Sequence, residues 1–424
     1  MTGRAAKSYT ERRTVLDALL EAIDRRLCFA GLSPPDTRTL DDRHRAAILN
    51  ASSDERFERE VNRLLLSLGT SHTGFYHRRR PRVSVNLALD VRLAPSPPDG
   101  ARWAFARVGP GGAAARAGIA EGDLLVGFDD DDIRPPERWT CALGRTYELH
   151  VQQPNGAISQ RRVDIPTTLR KLRTLANPTD TITATRLTPT IGLLRCAAFP
   201  GSIGIDTAQR ISAAIASLRS TRLIVDLRAH AGGGIGGLRL LSLLCADRRG
   251  ICYTLTRRAL DTGRARDDLP RFSAIPRTRL GGAWAGLRFW PVLRDGAMAV
   301  SLFTEALGPQ PFHGRVVVLI DQQTSSSGEL VAAAAREQGP ATVIGMPTPG
   351  RLVWAGTVGL PAGYRLAGPM ATVYTWQGAS VRTADLCGPR THERMCSTTL
   401  SMNCRHHPVR FTAPARQSCG PCRR

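Results

Sequence analysis

From about Thr185 to Ile344 the sequence alternates short apolar runs with helical patterns, and this alternation constrains the fold more than any other feature. The apolar runs have strand length, and the stretches between them repeat apolar residues at helical spacing. A strand–helix–strand order implies parallel strands joined by helical crossovers, and therefore a largely parallel sheet. The predicted strands are residues 191–199, 223–227, 316–320 and 343–344, and helices are predicted from about 206, at 238–244 and at 328–336.

Two motifs follow predicted strands, at the sheet edge where functional groups of such folds lie. The first, at 226–234, is an Asp-Leu-Arg step that continues into three glycines. Glycines there allow backbone N–H groups to approach a substrate oxyanion. The second, at 324–329, reads Thr-Ser-Ser-Ser-Gly-Glu and joins a strand to an alanine-rich helix. A serine turn at a helix N-terminus exposes a hydroxyl beside N–H donors, which is an arrangement suited to a nucleophile.

The segment before this region has a different pattern. Residues 1–75 predict helices, and 76–168 predict short strands around an Ala-Gly-Ile-x-x-Gly-Asp run that contains Gly118. This run resembles the carboxylate-binding loop, helix and strand of a bacterial PDZ domain. The resemblance implies binding of an extended peptide by strand addition, with Gly118 at the peptide site. The alternative is a PDZ-shaped module that binds nothing and only separates two domains.

The order of these motifs, over roughly residues 54 to 380, resembles the tail-specific (C-terminal processing) serine peptidase superfamily. The resemblance implies a mixed α/β fold: a ClpP/crotonase-like βαβ core at 180–388, an N-terminal helical segment and an inserted PDZ-like domain. It places the nucleophile on Ser326. It also implies that the backbone N–H groups of Gly232, Gly233 and Ser327 hold the oxyanion.

The general base departs from the commonest pattern of the superfamily, in which a lysine follows the Thr-x-Gly turn. Arg351 stands there, and an arginine keeps its proton at any relevant pH. The tricorn-type core proteases of the superfamily instead take a histidine from a Ser-His pair before the PDZ domain, which corresponds to Ser71 and His72. Histidine titrates near neutrality and can accept the serine proton. We therefore expect His72 as base, Ser71 to orient it and Asp385 as the supporting acid, with Arg351 free to bind a substrate carboxylate.

The formal charge of +22 comes almost entirely from arginine, since Lys7 and Lys171 are the only lysines. The arginines are scattered, without the basic helix or interleaved aromatics of a nucleic-acid module, so no specific nucleic-acid partner is expected. No continuous apolar stretch predicts a signal peptide or a membrane span. We therefore expect a cytoplasmic location, or a periplasmic one if the start codon is misassigned and a signal peptide is missing.

The tail at 389–424 is rich in cysteine and arginine and lacks apolar periodicity, so we expect it to be disordered. Its Cys and His spacing fits no standard zinc finger, and no metal or cofactor is expected.

Three functions remain open on the sequence. The first is a serine peptidase that cleaves peptides, unfolded chains or protein C-terminal regions. The second is a catalytically inactive ligand- or peptide-binding protein on the same fold. The third is a basic protein that binds nucleic acid or a membrane surface. A homo-oligomer is compatible with each.

Overall fold

A computed structural model of the chain describes residues 8–29, 36–79, 82–83, 89–95, 100–109, 111–129, 131–135, 141–142, 144–166, 181–201, 203–278, 280–284, 287, 299–308 and 312–380. The helices are α1 (Tyr9–Arg26), α2 (Thr37–Leu49), α3 (Asp54–Leu66), α4 (Ala113–Arg116), α5 (Ile205–Leu218), α6 (Leu238–Leu244), α7 (Arg257–Asp261) and α8 (Ser327–Gln338). Among the described residues, none of these helices combines the length and apolarity needed to cross a bilayer.

The strands form a mixed α/β architecture, as the sequence predicts. They are β1 (Gly74–His77), β2 (Arg82–Val83), β3 (Leu89–Pro95), β4 (Ala101–Val108), β5 (Leu124–Phe128), β6 (Cys141–Ala142), β7 (Thr146–Gln152), β8 (Ile158–Asp164), β9 (Ile182–Arg186), β10 (Ile191–Cys196), β11 (Arg222–Asp226), β12 (Gly250–Thr256), β13 (Arg271–Phe272), β14 (Ser301–Phe303), β15 (Arg315–Ile320), β16 (Thr342–Gly345), β17 (Trp354–Gly359) and β18 (Tyr364–Thr375).

The central sheet has the order β16-β15-β11-β10-β9. Its strands run parallel except for β9, which pairs antiparallel with β10 at the edge. Because β11 and β15 are parallel neighbours, with Asp226 opposite Leu319, their carboxyl ends meet at the same edge. The glycine motif and the serine motif leave the sheet there, as the strand–helix alternation predicts.

A second sheet packs with the helices at the N-terminus. Its order is β1-β18-β12-β14-β13, with β17 paired to β18. In α3, apolar residues at helical spacing bury Phe57, Val61, Leu64 and Leu65 in one cluster with Phe75 of β1 and side chains of β18. The chain that leaves α3 therefore reaches Ser71 and His72 immediately before it enters this sheet.

Residues 89–164 form a separate antiparallel sheet in the order β3-β4-β5-β7-β8, with the short helix α4 beside it. This unit has a core of its own, which includes Phe105, Leu125, Leu149 and Val163. The arrangement is compatible with an inserted PDZ-like domain, and the domain boundaries given above stay predictions.

Candidate functional site

Ser326 occupies a strained turn between β15 and α8. Its φ of 56° and ψ of −119° are unusual for a residue with a side chain. Its backbone N–H donates to Oε2 of Glu329 at 2.7 Å, and its carbonyl accepts the N–H of Leu330 at 3.2 Å. These bonds hold the turn tightly at the start of α8. The half-buried Ser326 hydroxyl therefore lies at the N-terminal end of a helix, where the dipole favours negative charge.

The glycine motif packs directly against this serine. A Cβ built on Gly232 would lie 2.9 Å from Cβ and 3.4 Å from Oγ of Ser326, so only glycine leaves room for the hydroxyl. A Cβ on Gly233 would lie 2.1 Å from the carbonyl oxygen of Phe199. Both glycines also have positive φ, +88° and +134°, which side chains rarely adopt.

His230 contacts both the glycine motif and the turn that carries Ser326, and it is fully buried. Its Nδ1 accepts the N–H of Gly232 at 2.9 Å, its carbonyl accepts the N–H of Ser325 at 3.0 Å, and its ring packs 4.4 Å from that of Phe199. Burial lowers the pKa of His230 to about 4, so the ring is neutral at physiological pH. His230 therefore connects the glycine loop, through Gly232, to the serine turn, through Ser325.

The contacts of His230 bear on the expected oxyanion donors. The N–H of Gly232 is directed to His230, away from a substrate. Within the described part of the chain, no protein acceptor takes the N–H of Gly233 or of Ser327. These two N–H groups belong to the residue after Gly232, which packs against Ser326, and to the residue after Ser326 itself.

Asp321 and Thr324 connect the two loops from the other side. The Asp321 carboxylate accepts the N–H of Ala229 at 3.0 and 3.1 Å and that of Thr324 at 2.9 Å. The Thr324 hydroxyl donates to the carbonyl of Leu227 at 2.8 Å. Sequence reasoning did not single out either residue for this role. The sequence could have indicated these contacts, because an Asp and a Thr that follow a strand commonly bond to nearby backbone groups.

Asp226 and Arg228 form an ion pair at the end of β11. Two guanidinium nitrogens of Arg228 lie 2.9 Å from the two carboxylate oxygens of Asp226. Burial alone would raise the pKa of Asp226, but the bonds from Arg228 lower it below its ordinary value. The Asp-Leu-Arg step therefore fixes the backbone where β11 ends, and we assign neither Asp226 nor Arg228 a role in the reaction.

Glu329 is a fully buried carboxylate at the centre of the site. Besides the N–H of Ser326, it accepts the N–H of Arg351 at 3.0 Å (Oε2) and 3.2 Å (Oε1). Burial raises the pKa of Glu329, and the bonds from these backbone donors act in the opposite direction. Sequence reasoning treated it only as part of a motif. Its position three residues after Ser326 is the capping-box spacing, which could have indicated this contact.

Ser71 and His72 lie on the other side of Arg351. The Ser71 hydroxyl donates to the carbonyl of Arg351 at 3.2 Å, and His72 Nδ1 lies 2.9 Å from Ser71 Oγ. A serine hydroxyl has one proton, so Nδ1 of His72 donates to Ser71 and Nε2 keeps its lone pair. This is the tautomer that a general base requires. The backbone of one residue, Arg351, therefore connects the two loops: its carbonyl binds Ser71 beside His72, and its N–H binds Glu329, which also holds the Ser326 turn.

The pKa of His72 lies below its ordinary value of 6.5, first because protein packed around the ring displaces water and second because the Arg351 cation lies nearby. The residue remains exposed on one side. Among the described residues, no hydrogen bond joins His72 to Ser326.

The remaining predicted site residues are Arg351, Gly118 and Asp385. Arg351 presents an exposed side chain beside His72. Gly118 ends α4 with a φ of 74° and belongs to the antiparallel unit at 89–164. Asp385, and the tail at 389–424, lie outside the described residues. In the described ranges no three His, Cys, Asp or Glu side chains are grouped as metal ligands would be.

Residues 190–386 match the family model described as peptidase family S41. None of the curated protein sequences compared with the chain matches it. Among solved structures, the photosystem II D1 C-terminal processing protease aligns at 16% identity over 88% of this chain and 90% of its own, with a TM-score of 0.50. Mature CPAF aligns at 14% identity over 88% and 91%, with a TM-score of 0.50. At these identities the structures show that the fold is shared.

Proposed function

Because residues 190–386 match the model of peptidase family S41, we propose that this chain is a serine peptidase that acts through an acyl-enzyme on Ser326. The observation that carries the proposal is the strained Ser326 turn, with Gly232 packed against its side chain and with the N–H groups of Gly233 and Ser327 left without protein acceptors in the described part of the chain. A nucleophile held next to unoccupied N–H donors is the arrangement that acyl transfer needs. The substrates are peptides, unfolded chains or protein C-terminal regions.

The proposed reaction begins when Ser326 Oγ attacks the scissile carbonyl carbon and His72 Nε2 takes the hydroxyl proton. The carbonyl oxygen becomes an oxyanion, which the N–H groups of Gly233 and Ser327 stabilise together with the N-terminal dipole of α8. The C–N bond then breaks, and the leaving amine takes the proton from His72. A water molecule gives a proton to His72 and attacks the ester carbon; the bond from that carbon to Ser326 Oγ then breaks, the carboxylic acid leaves, and Ser326 Oγ takes the proton back from His72.

Glu329 and Ser71 act through other groups in this scheme. Glu329 fixes the backbone of Ser326 and that of Arg351 at once, and Ser71 holds His72 in the tautomer with a free Nε2. Substrate entry would bring His72 into hydrogen-bond range of Ser326, since catalytic bonds are often long before a substrate binds. Asp385 would be the acid that supports His72.

Arg351 and the unit around Gly118 would bind substrate. The exposed Arg351 guanidinium can form a paired, charge-assisted contact with a C-terminal carboxylate. The segment 76–168, with Gly118 in its carboxylate loop, would hold an extended peptide as a PDZ domain does.

A catalytically inactive binding protein is the second candidate. Two observations favour it: Arg351 replaces the expected lysine, and within the described residues no hydrogen bond connects His72 to Ser326. Such a protein would bind peptides through the same cleft and leave them intact.

We expect the purified chain to cleave a reduced, alkylated unfolded protein in the presence of EDTA, because the proposed reaction uses side chains and water alone. His72→Ala should lower the rate by about 10²- to 10⁴-fold, which is the usual contribution of a positioned base. Mass spectrometry of the products gives both the rate and the cleavage sites. Binding of the unfolded protein without cleavage over a day would favour the inactive binding protein.

The acidic limb of the pH profile should report His72. Its pKa is lowered, so the ring is neutral and active above that pKa, and kcat/KM falls as the pH drops through it. Arg351→Met removes the neighbouring cation and should therefore move the acidic limb to higher pH. A pH series of kcat/KM for the wild type and the variant measures this shift. An acidic limb unchanged in Arg351→Met would exclude His72 as the group that titrates.

A further inference from the structure

A short apolar helix lies outside the proposed active site. Residues 280–287 read Leu-Gly-Gly-Ala-Trp-Ala-Gly-Leu, eight residues without a polar side chain. The structure describes 280–284 and 287 as helical. The large residues Leu280, Trp284 and Leu287 are separated by four and three positions, so they lie on one helix face.

This face is turned to solvent. Leu280 is 83% exposed, Trp284 74% and Leu287 70%. The next most exposed large apolar side chain in the described part of the protein, Ile158, is 62% exposed and lies on β8. Single exposed apolar residues are ordinary, whereas three on one face form a patch of the kind that marks an interaction site.

The opposite face of the helix is the one that packs on the protein. Gly282 is buried, and a Cβ built there would lie 3.1 Å from Cδ1 of Ile205, a residue that packs against the main core. Thr278 caps the segment: its carbonyl accepts the N–H of Gly282 at 2.9 Å and its hydroxyl that of Gly281 at 3.1 Å. The helix therefore buries Gly282 and presents Leu280, Trp284 and Leu287 outward, the inverse of an ordinary surface helix.

The charge of the chain indicates what covers this face. The formal charge is +22, and Arg277, Arg279 and Arg288 flank the helix in the sequence. A second copy of the chain would bring a second charge of +22 and repel the first. An anionic bilayer offers an apolar region and negative charge together. Leucine and tryptophan insert at the boundary of headgroups and acyl chains, and arginines pair with phosphate.

We propose that the helix face formed by Leu280, Trp284 and Leu287 docks this protein on an anionic membrane surface, with these three side chains inserted at the interface. The contact is peripheral. Membrane binding does not depend on Ser326, because the contact requires no peptide cleavage. It would hold the peptidase core where membrane-bound or membrane-derived chains are its substrates.

Cosedimentation of the full chain with vesicles tests this surface. Binding should be at least about tenfold stronger to vesicles with 30 mol% phosphatidylglycerol than to phosphatidylcholine alone, and should weaken with salt. The triple variant Leu280→Ser, Trp284→Ser and Leu287→Ser keeps the charge and should bind about tenfold more weakly or worse. A matched triple variant, Ile158→Ser, Leu187→Ser and Leu260→Ser, also removes three exposed apolar side chains and should bind as the wild type does.

Equal vesicle binding by the two triple variants, or no binding by the wild type, would overturn the proposal. A wild-type dimer in light scattering that the first triple variant abolishes, with no vesicle binding, would assign the face to a second copy and also overturn it. Thermal unfolding of both variants checks that each is folded, and fluorophosphonate labelling of the wild type, the reaction expected of an activated serine, reports the proposed peptidase site separately.

Discussion

Ser326→Ala is expected to lower kcat for peptide hydrolysis by about 10⁴-fold or more, the loss typical when a serine nucleophile is removed. The fold should persist, because alanine accepts the same backbone as serine and the bonds that hold the turn are made by main-chain groups. Steady-state kinetics on an unfolded-protein substrate measures kcat, and thermal unfolding measures the effect on the fold.

The neighbouring serine provides the matched control. Ser325 uses its backbone N–H and carbonyl to fix the turn, bonded to His230 and to Gly328. Ser325→Ala removes one hydroxyl from the same turn and should keep kcat within about tenfold of the wild type, as expected for a group that forms no bond in the transition state. An equal loss in Ser325→Ala and Ser326→Ala would mean that the turn as a whole matters and that Ser326 has no special role.

Glu329→Gln is expected to have the second largest effect. The buried carboxylate accepts N–H bonds from Ser326 and from Arg351, and its two oxygens are both in use. An amide offers one acceptor oxygen and places an NH₂ group against a donor N–H. Leaving a buried donor without an acceptor costs about 1–3 kcal/mol. Because both backbone segments of the site depend on this residue, kcat should fall by about 10²-fold or more, as when a group that holds the oxyanion donors is lost.

Glu337 on the same helix gives the control for this prediction. Its carboxylate accepts the N–H of Trp376 at 3.0 Å and that of Gln377 at 3.3 Å, far along α8 from Ser326. Glu337→Gln makes the same chemical change to a carboxylate that binds backbone groups. It should reduce the thermal stability somewhat and leave kcat near the wild-type value. If Glu329→Gln also kept full kcat, the role assigned to Glu329 would be wrong.

The sequence predicted the central sheet well, because hydrophobic periodicity there is clear. The predicted helix at 238–244 is α6 as observed, and the predicted strand at 316–320 lies within β15. The fold class follows from the order of these elements, since strands joined by helices pair in parallel. The placement of both motifs at one sheet edge followed for the same reason.

The contacts inside the site could not be read in this way. Glu329 and His230 act on backbone N–H groups, and every residue carries such a group, so the sequence does not show which one is bound. The meeting of the His72 loop with Arg351 joins positions far apart in the chain, and no local pattern predicts it.

Labelling with a fluorophosphonate tests the central claim most directly, because the reagent reacts covalently only with an activated serine and requires no knowledge of the substrate. The account predicts that wild-type protein gains one adduct, that mass spectrometry locates it on Ser326, and that Ser326→Ala and His72→Ala lose it. Loss in Ser326→Ala alone would leave the nucleophile in place and show that the base is another residue. Folded wild-type protein that gains no adduct would contradict the account and favour the binding protein.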